Sequence, residues 1–254
     1  MNAENKRLLS LLQELQAIEP ILLGTSNEKT KKDIEAFLQN LYKKYLTIIK
    51  EEDKKVILVD MDEVLADFID AWLTLYNQDY DDNLTIEDLK SWKTSLYVKP
   101  ACGEKIYDYF KKPGLFRHLK VRPYAQEFIQ NLLDNNYTVL IVSDSPEGNS
   151  YCDYTEDTTR IGNPADDKRK WLAEHFPMIP SSHIIFTSQK WYVQGDVLVD
   201  DKPATYQEFE KRGRLSILVD QPYNKDIVTK RRAKDLKEAE QLIYQLTGAK
   251  ELVS

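Results

Sequence analysis

Two pairs of aspartates follow short apolar runs that lie far apart in the chain. Asp60 and Asp62 come after one such run, and Asp200 and Asp201 come after another. Both runs are rich in β-branched residues, which is typical of strands buried in a parallel sheet. Because ligands bind at the carboxyl ends of such strands, we expect the four carboxylates to meet at one edge of the sheet. Clustered anions repel one another, so an all-oxygen site of this kind favours a hard cation such as Mg²⁺.

The spacing of the first pair is suited to phosphoryl transfer. Asp60, at the tip of the strand, can attack a phosphoryl group and form an aspartyl-phosphate. Asp62 is placed to protonate the leaving oxygen and then to activate water. A divalent cation would neutralise charge on the transferring group. A lone Asp-x-Asp is most often a solvated loop, and the second acidic pair is what makes a catalytic site the favoured interpretation.

The composition excludes several classes of protein. The 254 residues are 42% apolar and 30% charged, with a net charge of −7, which is typical of a globular chain rather than a disordered one. We expect no membrane span and no export signal, because the apolar runs are short and the N-terminus has no apolar signal core. Two cysteines, Cys102 and Cys152, fit a cytoplasmic location. The acidic balance argues against long nucleic acid as a partner but allows a small phosphorylated substrate.

Strand and helix patterns alternate through most of the chain and would position these acids. Strands are predicted at 56–59, 138–142, 184–186, 197–199 and 215–219, and helices at 125–133, 168–176, 204–212 and 235–246. This alternation predicts an α/β fold in which a Rossmann-like parallel sheet is flanked by helices. Residues 64–120 are helical and aromatic, and we interpret them as a small helical cap inserted after the first strand of a domain spanning 53–254. The basic run at 230–234 is expected to be a solvated surface.

Residues 1–52 predict an N-terminal helical hairpin. The apolar residues recur at helical spacing: Leu8, Leu11, Leu15 and Ile18 in the first helix, and Ile34, Phe37, Leu38, Leu41, Tyr45 and Ile48 in the second. The segment from Pro20 to Asn27 is predicted to form the turn. The pattern favours a pair of helices docked on the main domain. A partner-binding module, or a homodimer formed through these helices, stays open as the alternative.

Four motifs in order resemble those of a known superfamily. Residues 59–68, VDMDEVLADF, strongly resemble the opening motif of haloacid-dehalogenase (HAD) superfamily phosphatases, and within them that of the cytosolic type C 5′(3′)-deoxyribonucleotidases and their mitochondrial and bacterial relatives. Ile141–Ser143 resembles the second motif, Lys168 the lysine of the third, and residues 198–203 the metal-binding fourth. The resemblance begins near Val56, so it leaves the helical N-terminus unexplained.

The resemblance implies a role for each motif residue. Asp60 would be the nucleophile and Asp62 the acid and base. Ser143 would bond the phosphate, although a helix N-cap is an equally good interpretation of a serine there. Lys168 would stabilise the phosphoryl group and offset carboxylate repulsion. Lys190 falls where relatives carry a basic residue near the phosphate.

The implied metal ligands are Asp60, the backbone carbonyl of Asp62, and the fourth-motif acids. By analogy Asp201 would bind the ion directly and Asp200 would support it, but the sequence does not decide between these neighbours. The implied cofactor is Mg²⁺.

Cap aromatics surround the nucleobase in that family, and Phe68 and Trp92 match two such positions; Trp92 could instead belong to a core within the cap. Glu63 replaces a glycine of the eukaryotic relatives and would add charge near the mouth of the site. The long segment 144–167 could reshape the pocket. The resemblance implies a Mg²⁺-dependent phosphatase of nucleoside monophosphates, with pyrimidine deoxyribonucleotides expected. Another small phosphomonoester, a nucleic-acid 3′ phosphate, or partner binding through the N-terminal helices stay open as alternatives.

Overall fold

The chain divides into two units by its internal contacts, Met1–Lys54 and Lys55–Ser254. The computed structural model describes residues 3–24, 28–52, 54–146 and 163–248. None of the helices within these ranges is both long and apolar enough to cross a membrane.

The first unit consists of two helices, α1 (Ala3–Gly24) and α2 (Glu28–Glu52). Leu12 and Leu38 are buried, whereas Leu11 and Phe37 of the predicted stripes are 48% and 64% exposed. The predicted turn is wrong at Pro20, which lies inside α1. A proline costs a helix one backbone hydrogen bond, and this 22-residue helix continues past that loss. The other turn residues Ser26 and Asn27, and the side chains of Ile18 and Ile48, lie outside the described part of the chain.

The second unit is built on a parallel sheet. Its strands in chain order are β1 (Val56–Val59), β2 (Ala66–Asp67), β3 (Lys120–Val121), β4 (Thr138–Ser143), β5 (Ile184–Phe186), β6 (Val197–Asp200), β7 (Leu215–Val219) and β8 (Arg232–Ala233). Six of them form one sheet in the order β5-β4-β1-β6-β7-β8 with every neighbouring pair parallel, while β2 and β3 pair antiparallel on their own. The predicted α/β architecture is confirmed.

Helices connect these strands and cover the sheet. They are α3 (Phe68–Tyr80), α4 (Ala125–Asp134), α5 (Pro164–His175), α6 (Pro203–Lys211) and α7 (Leu236–Thr247). Local chemistry explains where they start and stop: the Asn163 side chain accepts a hydrogen bond from the Asp166 amide and Pro164 opens α5. Gly248, at φ 72°, follows the last turn of α7, a conformation that glycine adopts without strain.

The register of the central strands fixes where the functional edge lies. Val59 of β1 is paired with Ile141 of β4 on one side and with Val199 of β6 on the other. These strands are buried on both faces, as the continuous apolar runs predict. The residues that follow them therefore emerge side by side at one edge of the sheet.

The segment between β1 and α4 is helical and aromatic, as predicted. Besides α3 it contains three 3₁₀ helices, Ile86–Asp88, Thr94–Leu96 and Gly103–Lys111. The short pair β2 and β3 brings its two ends together. Two-residue strands carry no periodicity, which is why the sequence did not reveal them.

The interpretation of residues 230–234 as a solvated surface is wrong for three of the five residues, because Ala233 is fully buried and the two arginines are half-buried. Arg232 lies in the edge strand β8, where its guanidinium donates to Asp220 at 2.7 Å. Arg231 pairs with Glu210, and both arginines are half-buried. Lys230 and Lys234 are exposed. The acidic partners come from other elements, so the pairing is invisible in a local reading of the run.

Candidate active site

Three buried carboxylates meet at the carboxyl ends of β1 and β6. Asp60, Asp200 and Asp201 each offer an oxygen, and these oxygens lie within 4.8 Å of one another. All three side chains are at most 5% exposed. The Asp60 amide donates to the Val199 carbonyl at 3.0 Å, which extends the pairing of the two strands into the site. The sheet register therefore brings together residues that are 140 positions apart in sequence.

Lys190 lies among these carboxylates. Its Nζ is 2.8 Å from Oδ1 of Asp60 and 2.6 Å from Oδ2 of Asp200. Burial acts to lower the pKa of Lys190, but the two facing carboxylates outweigh it and raise that pKa above its usual value. The Lys190 ammonium is therefore charged at neutral pH and offsets part of the local negative charge.

Arg214 fixes the loop that presents Lys190. Its guanidinium donates to the carbonyls of Trp191 at 2.5 Å, Val193 at 2.7 Å and Gly195 at 3.2 Å. Gly195 is required here, because a Cβ at this residue would come within 2.6 Å of the Leu58 side chain in β1. The loop therefore packs directly on the central strand.

Burial makes the aspartate cluster costly to ionise. Burial raises the pKa of Asp200 to about 6, with the Asp60 charge adding to the rise and Lys190 opposing it. Burial, followed by the charges of Asp200 and Asp60, raises the pKa of Asp201 well above its usual value. Desolvated oxygens that repel one another fit a hard divalent cation, which would relieve the repulsion. The donor set of this site thus suits a metal ion.

Asp62 and Lys168 form a second charged pair beside the cluster. Lys168 is fully buried, and its Nζ donates to Oδ2 of Asp62 at 2.6 Å and to Oγ of Ser143 at 3.2 Å. The same ammonium lies 4.7 Å from the centroid of the Phe116 ring. Ser143 is itself fully buried at the end of β4. This lysine therefore connects the acid after β1 to the hydroxyl at the end of β4.

The Asp62 carboxylate has one oxygen without a partner. Oδ1 is buried and finds no hydrogen-bond donor among the described residues. Burial raises the pKa of Asp62, an effect that Lys168 opposes and the Asp60 charge reinforces. The side chain is 23% exposed, so it can reach a molecule bound at the sheet edge.

The sequence suggested that Glu63 adds charge near the mouth of the site, but the structure pairs this cavity-lining residue with Arg122. The side chain is buried, and its carboxylate accepts from the Ile69 amide at 2.7 Å and from the Arg122 guanidinium at 2.7 Å. Burial raises its pKa to about 7, against the opposing charge of Arg122. Its backbone has φ 55°, in the left-handed region that favours glycine.

A cavity of about 310 Å³ opens in front of the cluster. Seven of its lining residues are charged: Asp60, Asp62, Glu63, Asp144, Lys190, Asp201 and Lys202. Seven others are aromatic: Phe68, Trp72, Trp92, Tyr107, Phe110, Phe116 and Tyr223. Phe68 is stacked on Phe116 with ring centroids 5.0 Å apart. Trp92 is 45% exposed and meets Tyr223 edge-on at 5.2 Å. The cavity thus combines charged side chains with an apolar wall that suits a flat ring.

The structure places all nine sequence-predicted site residues around this cavity or in direct contact with its lining. Sequence reasoning missed Tyr223, whose hydroxyl donates to Oδ2 of Asp201 at 2.5 Å. Tyr223 comes four residues after β7, so applying the strand-end rule to every predicted strand could have found it. It also missed the contact of Phe116 with Lys168. Most of the long segment 144–167 lies outside the described residues.

Comparisons with known proteins agree with this geometry. The family model described as "5' nucleotidase, deoxy (Pyrimidine), cytosolic type C protein" matches residues 54–252. A 5'(3')-deoxyribonucleotidase of Clostridium acetobutylicum is 34% identical over 194 residues, covering 76% of this chain and 97% of that protein. A 5'(3')-deoxyribonucleotidase of Bacillus subtilis is 30% identical over 175 residues, covering 68% and 89%.

Solved structures share the fold. A HAD family hydrolase of Deinococcus radiodurans, crystallised with bound phosphate and sodium, has a TM-score of 0.50 at 11% identity and covers 78% of this chain and 98% of its own. A putative phosphoglycolate phosphatase of Lactobacillus delbrueckii also has a TM-score of 0.50, at 14% identity, covering 74% and 98%. With the family match, these findings show that the chain belongs to the cytosolic type C 5′(3′)-deoxyribonucleotidase family and is a HAD-fold phosphoric monoester hydrolase.

Proposed function

We propose that this enzyme is a Mg²⁺-dependent phosphatase of nucleoside monophosphates, with pyrimidine deoxyribonucleotides as its substrates, and that it acts through an aspartyl-phosphate on Asp60. The observation that carries the proposal is the cavity itself, which is lined both by the clustered carboxylates and by seven aromatic side chains. The names of two related enzymes, both 5'(3')-deoxyribonucleotidases, support a deoxyribonucleotide as the substrate. The phosphorylated end of the substrate would face the cluster and its base would face the aromatic wall.

The hydrogen bonds of the cluster indicate which aspartate contacts the ion. Both oxygens of Asp200 are engaged, one by Lys190 and the other by the Lys202 amide at 2.8 Å. Within residues 54–146 and 163–248, Oδ1 of Asp201 accepts no hydrogen bond from a side chain or backbone amide. We therefore assign Asp201 as a direct ligand and Asp200 as its support, with Asp60 and the Asp62 carbonyl completing the protein ligands. The ion supplies positive charge that stabilises the transferring phosphoryl group.

The first half of the reaction uses Asp60 and Asp62. Oδ1 of Asp60 is held by Lys190 and by the Met61 amide at 2.7 Å, while Oδ2 accepts no hydrogen bond from the described residues. A carboxylate oxygen of Asp60 attacks phosphorus, a new O–P bond forms, and the bond from phosphorus to the nucleoside oxygen breaks. Asp62 gives its proton to that oxygen. Burial raises the pKa of Asp62, which favours its protonated form, and its Oδ1 accepts no hydrogen bond from the described residues.

The second half reverses the role of Asp62. As a carboxylate it takes a proton from a water molecule, whose oxygen attacks phosphorus while the bond to Asp60 breaks and phosphate leaves. Ser143 and Lys168 lie together at the end of β4, where they would bind oxygens of the phosphoryl group. Lys190 holds the nucleophile in place through its contact with Asp60. The charge on the two lysines would be shared between the carboxylates and the substrate.

Recognition of the base is assigned to the aromatic wall. Phe68, which lies in a stack with Phe116, offers a fixed apolar surface, and the half-exposed Trp92 stands where it can cover a bound ring. A stacked aromatic pair contributes about 0.5–1.5 kcal/mol beyond the area it buries. If the substrate were another small phosphomonoester or a nucleic-acid 3′ phosphate, its phosphate would bind beside the same carboxylates. The rest of that substrate would make different contacts with the aromatic wall.

We further propose that catalysis resides in residues 53–254 and that the enzyme works in the cytoplasm. The Clostridium relative aligns over 97% of its own length with 194 residues of this chain. The family match begins at residue 54, so the helical pair α1 and α2 is an addition to the shared enzyme. The homodimer through these helices stays a prediction.

Asp60→Asn should abolish phosphate release from dUMP or dTMP. An amide is a far weaker nucleophile than a carboxylate, so we expect kcat to fall by on the order of 10³-fold or more. Phosphate release in the presence of Mg²⁺ measures this. Asp134→Asn is the matched control, because Asp134 is an exposed aspartate at the end of α4 whose carboxylate accepts from Gln130, outside the cavity. A wild-type enzyme inert toward a panel of nucleotides would remove the substrate assignment.

Trp92→Leu should weaken nucleotide binding selectively. Loss of base stacking predicts a rise in KM for dUMP of about tenfold, with little change for a small phosphate ester that has no ring. Steady-state kinetics with both substrates measures the difference. Leu96→Ala serves as control, since Leu96 is an exposed apolar residue of the same segment. Equal effects on both substrates would contradict a role of Trp92 in base recognition.

The metal-free protein should lose stability as the pH rises. The pKa values of Asp200 and Glu63, about 6 and about 7, lie above their unfolded values, and that of Asp201 is also raised. The folded state then holds protons that the unfolded state has released, so the free energy of unfolding falls from about pH 4 to pH 7. Mg²⁺ should therefore raise the melting temperature more at pH 8 than at pH 5. In Asp201→Asn we expect the free energy of unfolding to fall less with rising pH, and Mg²⁺ to raise the melting temperature by less. If both quantities stayed as in the wild-type protein, the assignment of the ion site to Asp201 would be wrong.

A chain beginning at Lys54 should retain the kcat/KM of the full-length enzyme, because every residue assigned to the reaction lies beyond that point. Kinetics on the two proteins measures this, and a large loss would contradict the proposed catalytic boundary. The masses of the two proteins in solution test whether α1 and α2 form a homodimer. A dimeric full-length protein and a monomeric shortened one would support the predicted homodimer, and the same oligomeric state in both would count against it.

A further inference from the structure

Tyr223 contacts both halves of the cavity. Resting on the function proposed above, we propose that Tyr223 is a positioning residue that fixes the Asp201 carboxylate toward the metal ion with its hydroxyl and seats the Trp92 ring with its own ring. One side chain would thereby join the ion site to the wall that covers the base.

The hydroxyl half of this role rests on a short, buried hydrogen bond. Tyr223 is 2% exposed, and its hydroxyl donates to Oδ2 of Asp201 at 2.5 Å. The next residue, Asn224, donates from Nδ2 to the Asp201 carbonyl at 2.8 Å. Asp201 is therefore held at both its side chain and its backbone by two consecutive residues. With Oδ2 bonded, the other oxygen is the one left for an ion.

The segment that carries Tyr223 is itself anchored. Tyr223 lies in the 3₁₀ helix Pro222–Asn224, and the Asn224 side chain also donates to the Val219 carbonyl of β7 at 2.8 Å. Oδ1 of Asn224 accepts from the Arg232 guanidinium at 2.7 Å. Gln221 donates to the Glu63 carbonyl at 3.3 Å. Because the tyrosine is held on several sides, it can impose an orientation on Asp201 rather than follow it.

The ring half of the role concerns the cap. The Tyr223 and Trp92 rings meet at 72° with centroids 5.2 Å apart, an edge-to-face contact that is favourable for aromatic pairs. The Lys202 ammonium lies 5.2 Å from the centroid of the Trp92 ring. Because Trp92 is nearly half exposed, its contacts with Tyr223 and Lys202 determine the orientation of its indole. Removing the tyrosine ring would free the tryptophan from the rim of the cavity.

The two halves can be separated by two substitutions. Tyr223→Phe removes the hydroxyl and keeps the ring, so we expect the Kd for Mg²⁺ alone, measured by isothermal titration calorimetry, to rise about tenfold. The KM for dUMP at saturating Mg²⁺ should stay near the wild-type value. Tyr223→Leu removes both groups and should weaken Mg²⁺ binding to a similar extent while also raising that KM. In Tyr223→Leu, the KM for a phosphate ester without a ring should not rise with the KM for dUMP.

The matched control is Tyr244→Phe. Tyr244 is a buried tyrosine whose hydroxyl donates to the Glu240 carboxylate at 2.6 Å, outside the cavity, so its loss reports the general cost of removing such a bond. Circular dichroism and the melting temperature of each metal-free variant establish that it is folded. Unchanged Mg²⁺ affinity in folded Tyr223→Phe, or an equal loss in Tyr244→Phe, would overturn the hydroxyl role.

An equal KM for dUMP in the Phe and Leu variants would overturn the ring role. Failure of the proposed function has a different signature, since the wild-type enzyme itself would then bind no Mg²⁺ or release no phosphate from nucleotides. Wild-type activity together with a failed Tyr223→Phe result would refute the inference about Tyr223 and leave the proposed function standing.

Discussion

Repulsion among buried carboxylates is the constraint on which the rest of the site depends. Asp60, Asp200 and Asp201 lie within 4.8 Å of one another at the end of a buried sheet, where water cannot screen them. Two buried lysines supply part of the compensating charge, but the pKa values of Asp200 and Asp201 stay raised. The remaining repulsion among the carboxylates favours the binding of a cation. Structural stability and chemical function are therefore opposed at this edge of the sheet.

A parallel sheet is well suited to carry such a cluster. The strands β1, β4 and β6 are each paired on both sides and are mostly buried, so the acids that follow β1 and β6 cannot move apart to relieve their repulsion. Lys190 is held in turn through the carbonyls that Arg214 fixes. The backbone thus holds charges together that would separate in a flexible loop, which is the preorganisation that electrostatic catalysis requires.

The sequence revealed the sheet and the acids because both have strong local signals. Five continuous apolar runs identified the long strands, and aspartates directly after two of them located the site. The features that the sequence did not reveal depend on contacts between residues that are distant in sequence. Nothing near Lys190 or Lys168 shows which carboxylate each one contacts. The position of Tyr223 shortly after β7 marks it as a candidate, but only the placement of β7 beside β6 shows that its hydroxyl meets Asp201. Two-residue strands such as β2 and β8 are defined by their partners alone.

Glu63 shows how the chemistry and the inserted segment are mechanically linked. Its backbone follows the Asp62 that we assign as acid and base, its carboxylate bonds the first turn of α3, and its ion pair with Arg122 reaches the chain just after β3. Both crossings between the sheet and the aromatic segment therefore meet at one buried carboxyl group. A glycine at this position would adopt the same backbone more easily but would leave Arg122 and the Ile69 amide without this partner. The glutamate thus keeps a backbone conformation that favours glycine, and its side chain connects the aromatic segment to the strand that precedes Asp60.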